Sequence, residues 1–70
     1  MISFIVTDKA AYVVEVKTKA VVEDVSELLA KADILQQKLG KPVVPILTEI
    51  LIDKEVESYA KGREVKVYRY

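Results

Sequence analysis

The pattern of apolar and polar positions predicts two strands at the start of the chain. Residues 1–7, MISFIVT, are mostly apolar or β-branched, and residues 11–17, AYVVEVK, repeat that character after the polar segment DKA. Two such runs joined by a short turn are typical of a β-hairpin. A three-residue turn would place Ser3 opposite Glu15. In that register one face of the hairpin is almost wholly apolar, and it carries Ile2, Phe4, Val6, Tyr12, Val14 and Val16.

An amphipathic helix is predicted after the hairpin. Apolar residues recur at steps of three and four along residues 21–39, at Val21, Val25, Leu28, Ala32, Leu35 and Leu39. This spacing is typical of one helix face. Glu23 and Asp24 lie in the first turn, where acidic residues suit the helix dipole. Gly40 and Pro42 follow the pattern and indicate that the helix stops there.

A third strand is predicted at residues 43–47, VVPIL. Its near-continuous apolar run favours cover on both faces of the sheet. Pro45 has no N–H to donate, so we expect an irregularity or a free edge at that position. The apolar character continues through residues 48–52, TEILI, which is too apolar for an exposed connection.

A short helix and a last strand complete the predicted fold. Asp53 is a suitable N-cap for a helix over residues 54–61, and Gly62 is a suitable cap at its end. Residues 63–70, REVKVYRY, alternate in polarity, as a strand does. The order strand, strand, helix, strand, helix, strand predicts a single α/β domain over residues 1–70, with a small mixed sheet.

Composition limits the chemistry that this domain can perform. The chain has 70 residues and contains neither cysteine nor histidine. Disulfides and thiolate metal sites are therefore excluded, and the commonest general base is missing. Any bound metal would be a hard cation held by oxygen atoms, such as magnesium or manganese.

The charge balance bears on possible partners. Eleven acidic and eleven basic residues cancel, so the basic excess typical of a nucleic-acid-binding domain is missing and such a partner is not favoured. A neutral chain that is 51% hydrophobic is prone to self-association. Ile34 and residues 48–52 also supply more apolar side chains than one small core needs. We therefore expect a two-fold homodimer, with an unidentified protein partner as an alternative.

The expected location is cytoplasmic, without a membrane partner. The apolar runs are too short to span a bilayer, and the chain does not open with a signal-peptide pattern. Valine, isoleucine, glutamate and lysine are abundant while asparagine, cysteine and histidine are absent. This composition is typical of proteins from thermophilic organisms.

Glu15 and Lys17 form the candidate site. On one strand they share a face, about 6.6 Å apart along the strand at about 3.3 Å per residue. A carboxylate at that position can hold a divalent cation while a nearby ammonium orients the attacking water, as in metal-assisted phosphodiester hydrolysis. The alternative is an ordinary solvated ion pair, which contributes at most about 1 kcal/mol to stability.

Two segments resemble the core of the PD-(D/E)XK nuclease superfamily, in particular its small archaeal members. They are VEVK at residues 14–17 and DVSELLAKA at residues 24–32. The resemblance implies a restriction-endonuclease-like core, here without the elements that commonly precede the hairpin. It also implies that Glu15 is the metal-binding acid and Lys17 the lysine of the E-x-K half-motif. The family's second metal-binding acid corresponds to Ser3, and a hydroxyl is a poorer ligand for a hard cation.

We therefore expect a non-catalytic homodimer, without a cofactor, that keeps a degenerate nuclease core for assembly or for binding a partner. The alternative is a magnesium- or manganese-dependent nuclease that uses Glu15 and Lys17. Its second acid would come from the helix, as Glu23 or Asp24, or from another subunit.

A further alternative places nucleic acid on the last strand. Tyr68 and Tyr70 could stack on bases while Lys66 and Arg69 contact phosphate. We favour the simpler interpretation that these rings pack at a sheet edge or at a subunit interface.

Overall fold

The computed structural model describes residues 2–51 and 53–69. In chain order the elements are β1 (Ile2–Val6), β2 (Ala11–Lys19), α1 (Val22–Leu39), β3 (Val43–Leu51), α2 (Lys54–Gly62) and β4 (Lys66–Arg69). The protein is thus a small mixed α/β domain with a four-stranded sheet and two helices, which confirms the predicted fold class. The predictions made for Met1, Ile52 and Tyr70 lie outside the described residues.

The four strands lie in the sheet in the order β1-β2-β3-β4. β1 is antiparallel to β2, whereas β2, β3 and β4 are parallel to their neighbours. α1 contacts β2 and β3, while α2 contacts β4 and α1. The carboxyl ends of three strands therefore meet at one end of the sheet, beside the amino-terminal end of α1.

The hairpin register differs by one residue from the expected register. The Thr7 hydroxyl donates to the Ala10 carbonyl at 2.9 Å and accepts from the Ala10 N–H at 3.1 Å. Thr7 is therefore a turn residue, and the turn contains four residues instead of three. As a result Glu15 pairs with Ile2, not with Ser3.

This shift changes which side chains of the hairpin share a face. Phe4 pairs with Val13, and Ser3 pairs with Val14. Because directly paired residues point to the same side of a sheet, Phe4 lies on the face of Val13 and Glu15. The predicted all-apolar hairpin face is therefore wrong, since its members from β1 and from β2 point to opposite sides.

Both helices pack on the sheet face that carries Val13. The buried core on this face comprises Ala11, Val13, Ala20, Val25, Leu28, Ala32, Val43, Leu47, Val56, Ala60 and Val65. The predicted helix stripe is thus confirmed at its centre, whereas Val21 and Leu39 at its two ends are exposed. Side chains alternate along a strand, so the residues between the core positions point to the opposite face of the sheet.

β3 is longer than predicted and continues through TEIL to Leu51. The described helices cover one of its faces, so the expected cover on both faces is not provided by this part of the chain. Pro45 fits the strand because its nitrogen points toward β4, which begins to pair only at Ile46. The missing N–H therefore removes no hydrogen bond from the ladder.

The two glycines differ in their roles. Gly40 ends α1 in the left-handed conformation, with φ 66°, and its N–H donates to the Gln36 carbonyl at 2.9 Å. Gly62 instead remains inside α2, and the cap residue is Arg63. The expected cap role of Gly62 is therefore wrong, and the positive φ of 61° after α2 belongs to Glu64.

The beginning of α2 agrees with the sequence, whereas the last strand is shorter than predicted. The Asp53 carboxylate accepts from the Glu55 N–H at 2.9 Å, which confirms it as the N-cap. β4 begins only at Lys66, because the preceding residues form the exit from the helix. Val65 in this exit is buried, and its N–H donates to the Ala60 carbonyl at 2.9 Å.

Candidate functional site

Glu15 and Lys17 lie on β2 and point toward α1. Lys17 Nζ is 3.4 Å from Asp24 Oδ1, and Glu15 Oε1 is 3.9 Å from Lys31 Nζ. The side chains of Glu15 and Asp24 are largely buried, whereas both lysines keep substantial exposure. The two candidate residues therefore connect their strand to the neighbouring helix through separate ion pairs.

Asp24 has a second role at the start of α1. Its Oδ2 accepts a hydrogen bond from the Val21 N–H at 2.8 Å, while Oδ1 contacts Lys17. An N–H at this position has no partner within the helix, so the carboxylate satisfies it. Of the two helix acids considered from the sequence, Asp24 is thus placed beside Lys17, whereas Glu23 is exposed to solvent.

Ser3 does not complete the expected set of metal ligands. It pairs with Val14 and therefore points to the sheet face opposite Glu15. Residues 2–51 and 53–69 contain no group of three or more acidic side chains that could hold a metal ion.

Glu49 is the functional candidate that the sequence reasoning missed. It is 0% exposed, in the middle of the region where the strand ends meet α1. Its Oε2 accepts from the Ala20 N–H at 3.0 Å, whereas Oε1 has no hydrogen-bond partner among the described residues. In the sheet register Glu49 lies between Lys17 on β2 and Arg69 on β4. A buried acid thus lies in one row with two basic residues.

The sequence did carry a signal for Glu49. It follows Val43, Pro45 and Leu47 at steps of two, so any strand that continues past Leu47 places it on the buried face. The predicted strand ended at Leu47, and no element was assigned to residues 48–52, so Glu49 was not placed on a sheet face.

The opposite side of the sheet is here called the open sheet face. Its described members are Ser3, Ile5, Tyr12, Val14, Val16, Thr18, Val44, Ile46, Thr48, Ile50, Lys66 and Tyr68. Among these residues Lys66, on an edge strand, is the one that carries a charge. Val14, Val16 and Ile46 at the centre are half-buried by their strand neighbours, while Ile5, Ile50 and Tyr68 toward the margins are exposed.

The residues of β4 that were considered for nucleic-acid binding lie on both faces of the sheet. Lys66 and Tyr68 lie on the open sheet face, whereas Arg69 points to the helix side because side chains alternate. Tyr70 lies outside the described residues. Tyr68 is exposed on an edge strand.

Comparison with known proteins does not assign a family. No family model matches the chain, and neither the curated proteins nor the solved structures contain a significant match. The described helices include none with both the length and the apolar character required to cross a membrane.

Proposed function

We propose that this protein is a non-catalytic assembly domain whose two copies associate through the open sheet face. The observation that carries this proposal is the composition of that face, which is apolar and almost free of charge. Large exposed apolar patches are rare on monomeric proteins and mark sites of association. Val14 and Ile46 lie side by side at the centre of the patch.

The size of the face is sufficient for a specific contact. The domain measures 32 × 20 × 16 Å along its principal axes. Four strands spaced about 4.8 Å apart, with about 3.3 Å per residue, offer on the order of 500 Å² in each copy. Two copies would bury roughly 1,000 Å² in total, which is near the lower bound for a biological interface.

The charge pattern of the face suits a second copy of the same chain. In a two-fold dimer, residues near the axis contact the same residues of the second copy. Charged residues at the centre of the face would therefore repel their equivalents across the interface. Valine and isoleucine at the centre instead allow two sheets to interdigitate at about 10 Å, as in a β-sandwich. Lys66 on the edge strand can remain in solvent at the rim.

The contacts of the candidate site support a structural role in this proposal. Lys17 and Glu15 pair with residues of α1, and Glu49 binds the loop before that helix. Each contact fixes α1 against the sheet. A rigid, helix-supported sheet is what a flat assembly surface requires.

The test is a measurement of mass by sedimentation velocity on three proteins. The wild type is expected to be dimeric or larger, and Val14→Lys should weaken face association by at least about 100-fold because it buries an unpaired charge. Ile34→Lys is the matched control, since Ile34 is 52% exposed on α1 and away from the open sheet face. Thr48→Lys is a second face variant that tests the same contact at a residue that is already polar. A monomeric wild type, or variants of the face that leave its mass unchanged, would refute the proposal.

A metal-dependent nuclease is the second candidate. The observation that favours it is that Asp24 lies beside Lys17 on the face that also carries Glu15. Incubation of the protein with DNA and manganese, beside a Glu15→Ala control, tests it directly. Cleavage that disappears in the variant would replace the non-catalytic proposal, and identical residual activity in both proteins would argue against the nuclease.

A further inference from the structure

The two edges of the sheet differ in character. β4 is an edge strand of four residues that carries Lys66 and Arg69. β1 is the other edge, and its sequence ISFIV contains no charge and no proline. Proteins commonly protect edge strands with charges, prolines or cover, because unpaired main-chain groups attract other strands. β1 lacks the first two of these protections.

The side chains of β1 beyond Ile2, which packs against the core, also lack cover. Phe4 and Val6 point to the helix side, but α1 reaches only β2 and β3. Phe4 is therefore 56% exposed and Val6 is 58% exposed, although both are large and apolar. From Phe4 onward, β1 thus extends past the helix layer with an uncovered apolar margin.

The main-chain groups that β1 offers to solvent follow from the ladder geometry. Alternate residues of an antiparallel strand direct both N–H and C=O toward the neighbour. The Thr7 N–H donates to the Ala10 carbonyl at 2.8 Å, which fixes the phase of this alternation. Ser3 and Ile5 therefore bond to β2, and Phe4, with the residues two before and two after it, directs its N–H and C=O away from the sheet.

We infer that β1 pairs with β1 of a second copy, antiparallel and with the two-fold axis at Phe4. In this register Phe4 meets Phe4 of the partner subunit, and Ile2 meets Val6 of the partner subunit. The residues with outward N–H and C=O groups are those that become hydrogen-bonded pairs, so about six N–H···O=C bonds form. On the opposite side of the sheet, Ser3 of each copy meets Ile5 of the partner subunit. The strand pair therefore contains no charged residue.

This inference deepens the proposed function, on which it rests for the role of assembly, but it uses a different surface. The two-fold axis of the edge pair is perpendicular to the sheet, whereas the axis of the face pair lies in the sheet plane. Perpendicular two-fold axes that intersect combine in a tetramer of dihedral symmetry, and the tetramer proposed here has its two axes crossing in this way. The structure thus assigns two self-complementary surfaces to the domain, one at β1 and one on the open sheet face.

Phe4→Pro is the decisive variant. Proline removes the outward N–H of Phe4 but breaks no bond to β2, and edge strands tolerate proline where the N–H faces solvent. Phe4→Ala is the matched control, because it removes the ring and keeps the N–H. Circular dichroism establishes that each variant is folded before its mass is measured by sedimentation velocity.

The expected masses of the variants distinguish association through β1 from association through the open sheet face. Wild type and Phe4→Ala should sediment as tetramers, Phe4→Pro and Val14→Lys each as dimers, and the double variant as a monomer. If Phe4→Pro leaves the mass of the wild type unchanged, the edge pair is refuted while the face pair stands. If Phe4→Pro yields monomers and Val14→Lys has no effect, the edge pair stands and the proposed face contact fails. If Phe4→Pro does not fold, Phe4→Lys, which places a charge in the strand pair, decides by the same halving of mass.

Discussion

The buried carboxylate of Glu49 accepts a hydrogen bond from the main-chain N–H of Ala20, at 3.0 Å. This bond connects the central strand β3 to the segment that leads from β2 into α1. Ala20 is also completely buried, so its N–H cannot obtain a partner from bulk water. The single acceptor that Glu49 supplies is therefore a requirement of the fold at this point.

Two substitutions of Glu49 can distinguish the effect of its negative charge on stability from the effect of its hydrogen bond to Ala20. Glu49→Gln keeps an oxygen for Ala20 and should change the free energy of unfolding by less than about 1 kcal/mol. Glu49→Leu leaves the Ala20 N–H unsatisfied and should cost about 1–3 kcal/mol. Urea denaturation of the three proteins measures both values. A severe loss with Gln and none with Leu would show instead that the negative charge beside Lys17 and Arg69 is the essential property.

Asp24 is expected to stabilise the start of α1. Asp24→Ala removes the acceptor for the Val21 N–H together with the ion pair to Lys17, and should cost about 1–2 kcal/mol. Glu23→Ala is the control, because Glu23 is the adjacent exposed acid in the same turn. It should change stability by less than about 0.5 kcal/mol. Equal losses in chemical denaturation would mean that the helix dipole, and not the specific contacts of Asp24, is responsible.

The same substitution should have opposite effects at the two glycines. Gly40→Ala places a side chain at φ 66° and should destabilise the protein by about 1 kcal/mol. Gly62→Ala lies in a helix with open space around it, and should stabilise the protein by about 0.5–1 kcal/mol. Thermal denaturation at a fixed protein concentration compares them. Changes of the same sign would contradict the assigned backbone conformations.

The thermal stability of the wild type should depend on protein concentration. If folding is linked to association, dilution favours the unfolded monomer by mass action. For a dimer that dissociates on unfolding, each tenfold dilution should reduce the apparent stability by about 1.4 kcal/mol. Melting curves at concentrations from one to one hundred micromolar provide the measurement, and Val14→Lys should show a smaller dependence. A constant midpoint in the wild type would indicate that the monomer is stable alone.

Local sequence signals were sufficient for the fold class and for α1. The stripe through Val25, Leu28 and Ala32 identified the helix because its period is distinct from that of a strand. Asp53 likewise marked the start of α2, since an N-cap acts on its own neighbouring N–H groups.

The register of the hairpin could not be predicted from the residue types alone, because it depends on one hydrogen-bonded contact in the turn. Three- and four-residue turns both fit TDKA, and the choice depends on whether the Thr7 hydroxyl bonds to Ala10. That one contact decides whether Ser3 or Ile2 faces Glu15. The shared face of Glu15 and Lys17 was thus predicted correctly, whereas the residue opposite Glu15 was not.

The charge distribution between the two sheet edges limits how far strand pairing can extend. When two β1 strands join, both outer margins of the enlarged sheet are β4, which is short and carries Lys66 and Arg69. A further copy would then have to bring its own Lys66 and Arg69 against the same two positive charges, which is unfavourable. The β4 edge thus disfavours growth into a fibril. With the strand order β1-β2-β3-β4, pairing at sheet edges ends when two copies have joined.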